Sequence, residues 1–275
     1  MEAGLDEPRL RVVRHEQGKG VAQARNAGIA AARGEWVAFL DDDDLWSPRK
    51  LRVQLDAARA VNAGFAYAGV VSVDVEGTVN YAFALPDPDG LVQEILSRSV
   101  LPAGCSNVVA RADLLRELGG FDEELFQLSD WDLWIRLAQA APAAACEEIL
   151  VGYVEHPANM LLTDDRDVTR EFDHLRDKHR RSREAQGVEL DRVTFMHWVA
   201  WGYLRRGRRL RAAGVYLRCG LGNRRVRDVG LAAGFALRAI VPVSSGRRLL
   251  HAIAPPDGAD APAPLVPPAW LARYG

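Results

Sequence analysis

The chain has 275 residues, 48% hydrophobic and 26% charged, with a net charge of −2, as expected of a soluble globular protein of one or two domains with a sizeable core. The composition leaves no room for a transmembrane helix: the most apolar window, 229–243, is broken by Arg238 and falls short of the ~20 residues a span needs. Charge is unevenly spread, with 14 Lys and Arg against 25 Asp and Glu in residues 1–159 (net −11) and 21 against 12 in residues 160–275 (net +9).

In chain order, residues 1–11 are polar, without the apolar core of a secretory signal. Leu10, Arg11, Val12 and Val13 read as a short strand and 18–20 as a loop. Residues 21–32 read as an alanine-rich helix that Arg33 and Gly34 terminate. Trp36 to Leu40 is an apolar run of strand length, and Asp41, Asp42, Asp43 and Asp44 follow it directly. Ser47 and Pro48 then open a helix over 48–63, as cap and first-turn proline.

A strand is expected over 65–74, with a hairpin partner at 77–83. A helix at 91–98, a short strand at 107–110 and a helix at 111–118 come next. The turn Gly119-Gly120-Phe121-Asp122, a helix at 131–140 and a strand at 149–155 complete this half. Strands alternating with helices argue for an α/β domain with a mainly parallel sheet. Beyond residue 160 the pattern is helical, at 167–185, 192–206, 210–219 and 226–240, and from 255 it becomes a Pro/Ala-rich tail expected to be disordered. This divides the chain into 1–160, 161–252 and 253–275. Cys105, Cys146 and Cys219 lie far apart, in no zinc pattern, and read as reduced thiols.

The acidic tetrad carries the chemistry. Adjacent anions repel by roughly 1 kcal/mol per pair even in water. A hard cation, or nearby arginine and lysine, relieves that, and oxygen ligands at a strand end suit Mg²⁺ or Mn²⁺ held together with substrate phosphates. The competing reading of such a run is a solvated loop.

Three motifs occur together: Gly20-Val21-Ala22-Gln23-Ala24-Arg25-Asn26-Ala27-Gly28 leading into the tetrad and Trp46-Ser47-Pro48; Cys105-Ser106-Asn107 with Gly119 to Glu123; and Ser129-Asp130-Trp131-Asp132-Leu133-Trp134. In this order they closely resemble family 2 glycosyltransferases of the GT-A fold, over about residues 9–160. The resemblance implies a GT-A-like, Rossmann-type sheet flanked by helices, incomplete at its N-terminus: the family's first strand, and a later one ending in an Asp-Asp-Gly-Ser-like turn, would precede this chain.

The resemblance implies roles as well. Asp41 and Asp43 would form the metal-binding D-x-D, with Asp41 toward the ribose or the metal and Asp42 beside them on the donor side. Arg25 and Asn26 would be donor-side residues, Arg25 pairing with phosphate. Asp130 would be the catalytic base, in a motif whose first acid is here Ser129, and Asp132 competes for that role; both also fit as charges favoured at a helix start. In Tyr153-Val154-Glu155-His156-Pro157-Ala158-Asn159, His156 would complete the metal shell or touch the diphosphate. Trp131 would stack on a sugar or belong to the core.

The resemblance thus implies a metal-dependent inverting glycosyltransferase of cell-envelope polysaccharide synthesis. It would move a sugar from a nucleotide-diphosphate sugar to a hydroxyl of a glycan or lipid-linked acceptor. The alternative is a non-catalytic remnant or binding protein of the same fold. A nucleotidyltransferase ranks last, because the sequence has no GxxxxGK[ST] loop. Between Leu204 and Leu250 stand twelve arginines against one acid, Asp228, interleaved with apolar residues. That pattern suits an anionic membrane surface or, through its apolar face, the catalytic domain or a second copy of the chain. A cytoplasmic protein, peripheral at the inner face of the cell membrane, is the expectation.

Overall fold

A computed structural model describes residues 8–18, 20–156, 159, 168–223, 225–240 and 267–274. Lys19, Pro157, Ala158, residues 160–167, Arg224 and residues 241–266, including Arg247 and Arg248, lie outside the described residues.

The chain enters as coil. Residues 10–13 form no strand: Leu10, Val12 and Val13 are exposed and pair with nothing among the described residues. Helix α1 (Val21–Ala31) leads to strand β1 (Trp36–Ala38), which stops before the acidic tetrad. A two-residue strand β2 (Leu45–Trp46) follows, then helix α2 (Lys50–Ala60) and the long strand β3 (Phe65–Val73). Strand β4 (Val79–Ala82) is the expected hairpin partner of β3.

Helices α3 (Leu91–Ser97) and α4 (Gly104–Asn107), strand β5 (Val109–Arg111) and helix α5 (Ala112–Glu117) come next, and helix α6 (Ser129–Ala140) runs into strand β6 (Ala143–Val154). The expected strand at 107–110 therefore begins as a turn of helix. The last elements are α7 (Val168–Lys178), α8 (Arg180–Gln186), α9 (Arg192–Arg205), α10 (Arg209–Gly222) and α11 (Val226–Ile240). Asp191 starts α9 by accepting from the Thr194 N–H at 2.9 Å and its hydroxyl at 2.6 Å, a cap worth ~1 kcal/mol.

The sheet runs β1-β5-β3-β6-β2, with β4 paired to the far half of β3. It is mixed rather than mainly parallel. Only β3 and β6 run parallel; β1–β5, β3–β5, β3–β4 and β2–β6 are antiparallel. Alternation of elements does not encode strand direction, and the turn at Asp74–Gly77 is too short for anything but a hairpin. All nine residues of β3 are buried, as a central strand covered on both faces must be. Next to Gly69 the ladder shifts, and Glu147 and Glu148 of β6 bulge outward into solvent.

One hydrophobic core spans the proposed boundary at 160. Val37, Phe39, Phe65 and Trp134 join Phe172, Leu175, Phe195, Val199 and Tyr216 in a single cluster. The C-terminal helices, which also pack on one another, therefore share this core with the sheet. The tail expected to be disordered also folds back in part. Trp270 donates from Nε1 to the Ile149 carbonyl at 2.9 Å, and Leu271 is buried with Val71 and Val73. Tyr274 donates to the Trp46 carbonyl at 3.2 Å. Two aromatic rings and a leucine outweigh the Pro/Ala composition around them.

Candidate active site

Strand β1 delivers the tetrad to the rim of a cleft of about 650 Å³. Two side chains, Ser106 and Trp46, fix the acidic loop from behind, and Asn107 ties the same segment to the central strand. The Asp41 N–H donates to the Ser106 hydroxyl at 3.0 Å, and the Trp46 indole donates to the Ser106 carbonyl at 2.8 Å. Asn107 accepts from the Ala68 N–H at 2.8 Å. The Cys-Ser-Asn motif is thus a clamp between the acidic loop and the central strand.

Arg25, Asp41, Asp43, Asp44 and Asp130 all line the cleft. Arg25 Nη2 lies 2.6 Å from Asp41 Oδ1. Burial opposes the charge of Arg25, but Asp41 and Asp130 outweigh it and hold its pKa above the ordinary value. Cys105 stays a neutral thiol, pushed well up by burial. His156 Nε2 meets Asp43 Oδ2 at 2.9 Å, and Asn159 Nδ2 reaches the same oxygen at 3.5 Å. Asp44, to which sequence reasoning gave no role, is the most buried of the four and accepts from the Val154 N–H at 3.2 Å. Burial pushes its carboxyl up to about 7, and the neighbouring charges of Asp43 and Asp41 add to the shift. Arg25 alone does not neutralise the acidic loop, and the loop's carboxylate oxygens are ligands that a hard divalent cation takes.

Asp130 stands in the first turn of α6, where the helix dipole favours an anion. Burial nevertheless raises its pKa, with Arg25 pulling the other way. A carboxylate raised toward neutrality is suited to accept a proton. No side-chain cap forms at Leu128, the residue before α6. Glu171 of α7 instead accepts from the N–H groups of Phe126, Gln127 and Leu128 at 3.0, 2.8 and 3.0 Å, fixing the approach to Asp130. Its sequence signal was only an acid in the first turn of a charged helix.

Two donor-side expectations do not reach the cleft. Asn26 uses both ends of its amide on the Gly-Gly-Phe turn, donating to the Phe121 carbonyl at 2.9 Å and accepting from the Phe121 N–H at 2.7 Å. Gly120 is required there, since a Cβ would come within 2.4 Å of Asn26 Oδ1. Asp42 is exposed and is not among the cleft-lining residues. Asp132, the rival base, is fully buried and bound to Arg136 at 2.6 Å and to Lys178 and His179 at 2.8 Å each, a structural role. Trp131 is also core, donating from Nε1 to the Ile95 carbonyl at 2.7 Å. Among the described residues, the one trio of side chains close enough together to share a metal is Asp122, Glu124 and His174, where Lys178 already sits 2.5 Å from Asp122.

A family model for "Glycosyl transferase family 2" matches residues 2–119, the stretch holding α1, the acidic loop and the Ser106 clamp. Through this segment the chain is similar to glycosyl transferase family 2. Among relatives, the chain is 32% identical over 164 residues to the succinoglycan biosynthesis protein ExoO of Rhizobium meliloti, covering 56% of this chain and 47% of the relative. It is 29% identical over 136 residues to the Escherichia coli UDP-Glc:alpha-D-GlcNAc-diphosphoundecaprenol beta-1,3-glucosyltransferase WfgD, covering 48% and 50%. The chain thus spans about half the length of these curated relatives. A solved structure of S. aureus TarS 1-349 in complex with UDP-GlcNAc overlaps 83% of this chain and 74% of that one, at 15% identity and a TM-score of 0.42. None of the helices of the described chain is long and apolar enough to cross a membrane.

Proposed function

We propose that the protein transfers a sugar from a nucleotide-diphosphate sugar to a hydroxyl of a glycan or lipid-linked acceptor, with inversion, in cell-envelope polysaccharide synthesis. The observation that carries this reading is the meeting of Arg25, the acidic loop and Asp130 in one cleft. The envelope context is supported by the printed names of the relatives, ExoO and WfgD.

Asp41 and Asp43, with His156 beside Asp43, would hold Mg²⁺ or Mn²⁺; when bound, such an ion stabilises negative charge on the leaving diphosphate. Arg25 supplies a fixed cation next to Asp41. Asp130 takes the proton of the acceptor hydroxyl as its oxygen attacks the anomeric carbon. The bond from that carbon to the phosphate oxygen breaks, and the nucleoside diphosphate leaves with the electron pair. Asn26 and Asp42 would act on the donor only indirectly, through the turn and the charge of the loop.

The basic helices supply a location. Leu210, Leu217 and Leu221 are exposed on α10 at spacings of seven and four, on one face, and Arg211 and Arg218 flank them. An apolar stripe bordered by guanidinium groups fits an anionic lipid surface at the inner face of the membrane. Calorimetric titration with UDP-sugars, with and without Mn²⁺, tests the donor reading. Micromolar to millimolar binding that needs the metal supports it, and no binding of any UDP-, GDP- or dTDP-sugar rejects it.

A further inference from the structure

The cleft has a second wall that lies wholly outside the matched segment 2–119. Helix α9 turns Phe195, Trp198 and Trp201 toward it, and Trp198 and Trp201, three residues apart, share one helical face. Both indoles are only partly buried, unlike the core tryptophans Trp131 and Trp134. The acids occupy one side of the cleft and these rings another.

The rings are held at both ends. From Trp131, the neighbour of Asp130, a ladder of aromatic contacts runs to Phe172 at 6.1 Å, to Phe195 at 3.9 Å and to Trp198 at 5.8 Å. At the other end Arg205 stacks 4.8 Å over the Trp201 ring while pairing with Glu155, the residue before His156, at 2.7 Å. Trp198 is thereby tied to the Asp130 side of the cleft and Trp201, through Arg205, to Glu155 beside His156. Rigid, partly exposed aromatic faces in a cleft with a few convergent polar groups are built to bind a ring that is apolar on its faces and polar at its edge. A pyranose is such a ring: its axial C–H groups present an apolar face and its hydroxyls point outward, in a cleft that Asp130 also lines.

We infer that Trp198 and Trp201 form the acceptor subsite and that the acceptor is recognised there as a pyranose. This rests on the glycosyl-transfer reading, and it assigns substrate selection to the C-terminal helices.

The test is saturation-transfer NMR on the full chain with four probes: the methyl pyranosides of glucose, galactose, mannose and N-acetylglucosamine. At least one is expected to receive saturation, strongest at the protons of one ring face. Trp198→Ala and Trp201→Ala should each weaken it at least about fivefold, and Trp198→Phe should retain most of it. UDP binding in the presence of Mn²⁺, measured on the same samples, should stay within about twofold, and thermal midpoints identify any variant that fails to fold. Unchanged saturation in both folded alanine variants overturns the inference, as does absence of saturation from all four pyranosides in the wild type. Tryptophan-dependent pyranoside binding in a protein that binds no nucleotide would uphold the subsite while removing the donor reading.

Discussion

Arg205 of α9 and Glu155 at the end of β6 meet at 2.7 Å, and the other Glu155 oxygen accepts from the Tyr81 hydroxyl at 2.7 Å. The Glu155 side chain is only 11% exposed, so the pair ties the helical region to the sheet beside the metal-side residues. Arg205→Ala should cost about 1–3 kcal/mol, because it leaves a mostly buried carboxylate unpaired, and Tyr81→Phe about 1 kcal/mol. Urea unfolding measures both. A loss under about 0.5 kcal/mol for Arg205→Ala would place the pair among inert surface contacts.

Asp43 is the half-exposed member of the acidic loop that faces His156. Asp43→Ala should abolish metal-dependent donor binding and leave the thermal midpoint within a few degrees. Equal affinity for UDP with Mn²⁺ in variant and wild type would refute its role as a ligand.

The two acids of α6 should part company on mutation. Asp130→Asn should lower turnover by at least about 10²-fold with donor affinity unchanged, the loss expected for a general base. Asp132→Asn should unfold readily instead, with a cost of about 3 kcal/mol near neutral pH. Burial works against the Asp132 charge, but His179, Arg136 and Lys178 outweigh it and hold its pKa well below the usual carboxylate range. A depressed pKa gives stability that is present above the unfolded value of ~4 and lost as pH falls through the folded one. The deficit of Asp132→Asn should therefore shrink in acid. Near-normal turnover in Asp130→Asn beside a collapse in a folded Asp132→Asn would exchange the roles.

Lys50 is fully buried, with Nζ 2.7 Å from Gln54 Oε1 and 4.1 Å over the Trp46 ring. Burial lowers its pKa to about 7. The unfolded chain keeps the proton up to ~10.4, so this residue makes stability rise with pH between about 7 and that value. Lys50→Met, close in shape and never charged, should be more stable than wild type at pH 6, with the gap closing by about pH 10. A pH-independent difference would mean that Trp46 and Gln54 compensate the charge fully.

Liposomes rich in phosphatidylglycerol should sediment the full chain at low salt and release it as salt rises, since exposed charges are screened. Replacing Leu210, Leu217 and Leu221 by serine should reduce the bound fraction. Absence of binding at low salt, or a concentration-dependent dimer that the same serines disrupt, would assign the stripe to a second copy of the chain.

Much of the N-terminal half could be read from local order. Trp36–Ala38 running into four aspartates, Phe65–Val73, and the acid pair Asp130 and Asp132 are stretches in which periodicity, turn residues and charge agree. Such features depend on neighbours along the chain; the motif resemblance added the candidate residues, of which Arg25, Asp41, Asp43 and Asp130 line the cleft and His156 touches Asp43.

Contacts between distant residues decided the rest. Asn26 and Arg25 are adjacent in sequence, yet a turn 95 residues away takes up Asn26, and an acid 16 residues away holds Arg25 in the cleft. Asp132 is tied into ion pairs because Lys178 and His179 arrive from α7 and the turn beyond it. Strand direction depends on which edges meet, so the mixed sheet could not be inferred from element order. The tail at 267–274 docks because Val71, Val73 and Gly152 form a surface that takes Leu271 and Trp270. Propensity and patterning act over a few residues and so show in the sequence. Burial, ion pairing and the pKa values they set depend on who the neighbours are, which exists only once the chain has folded.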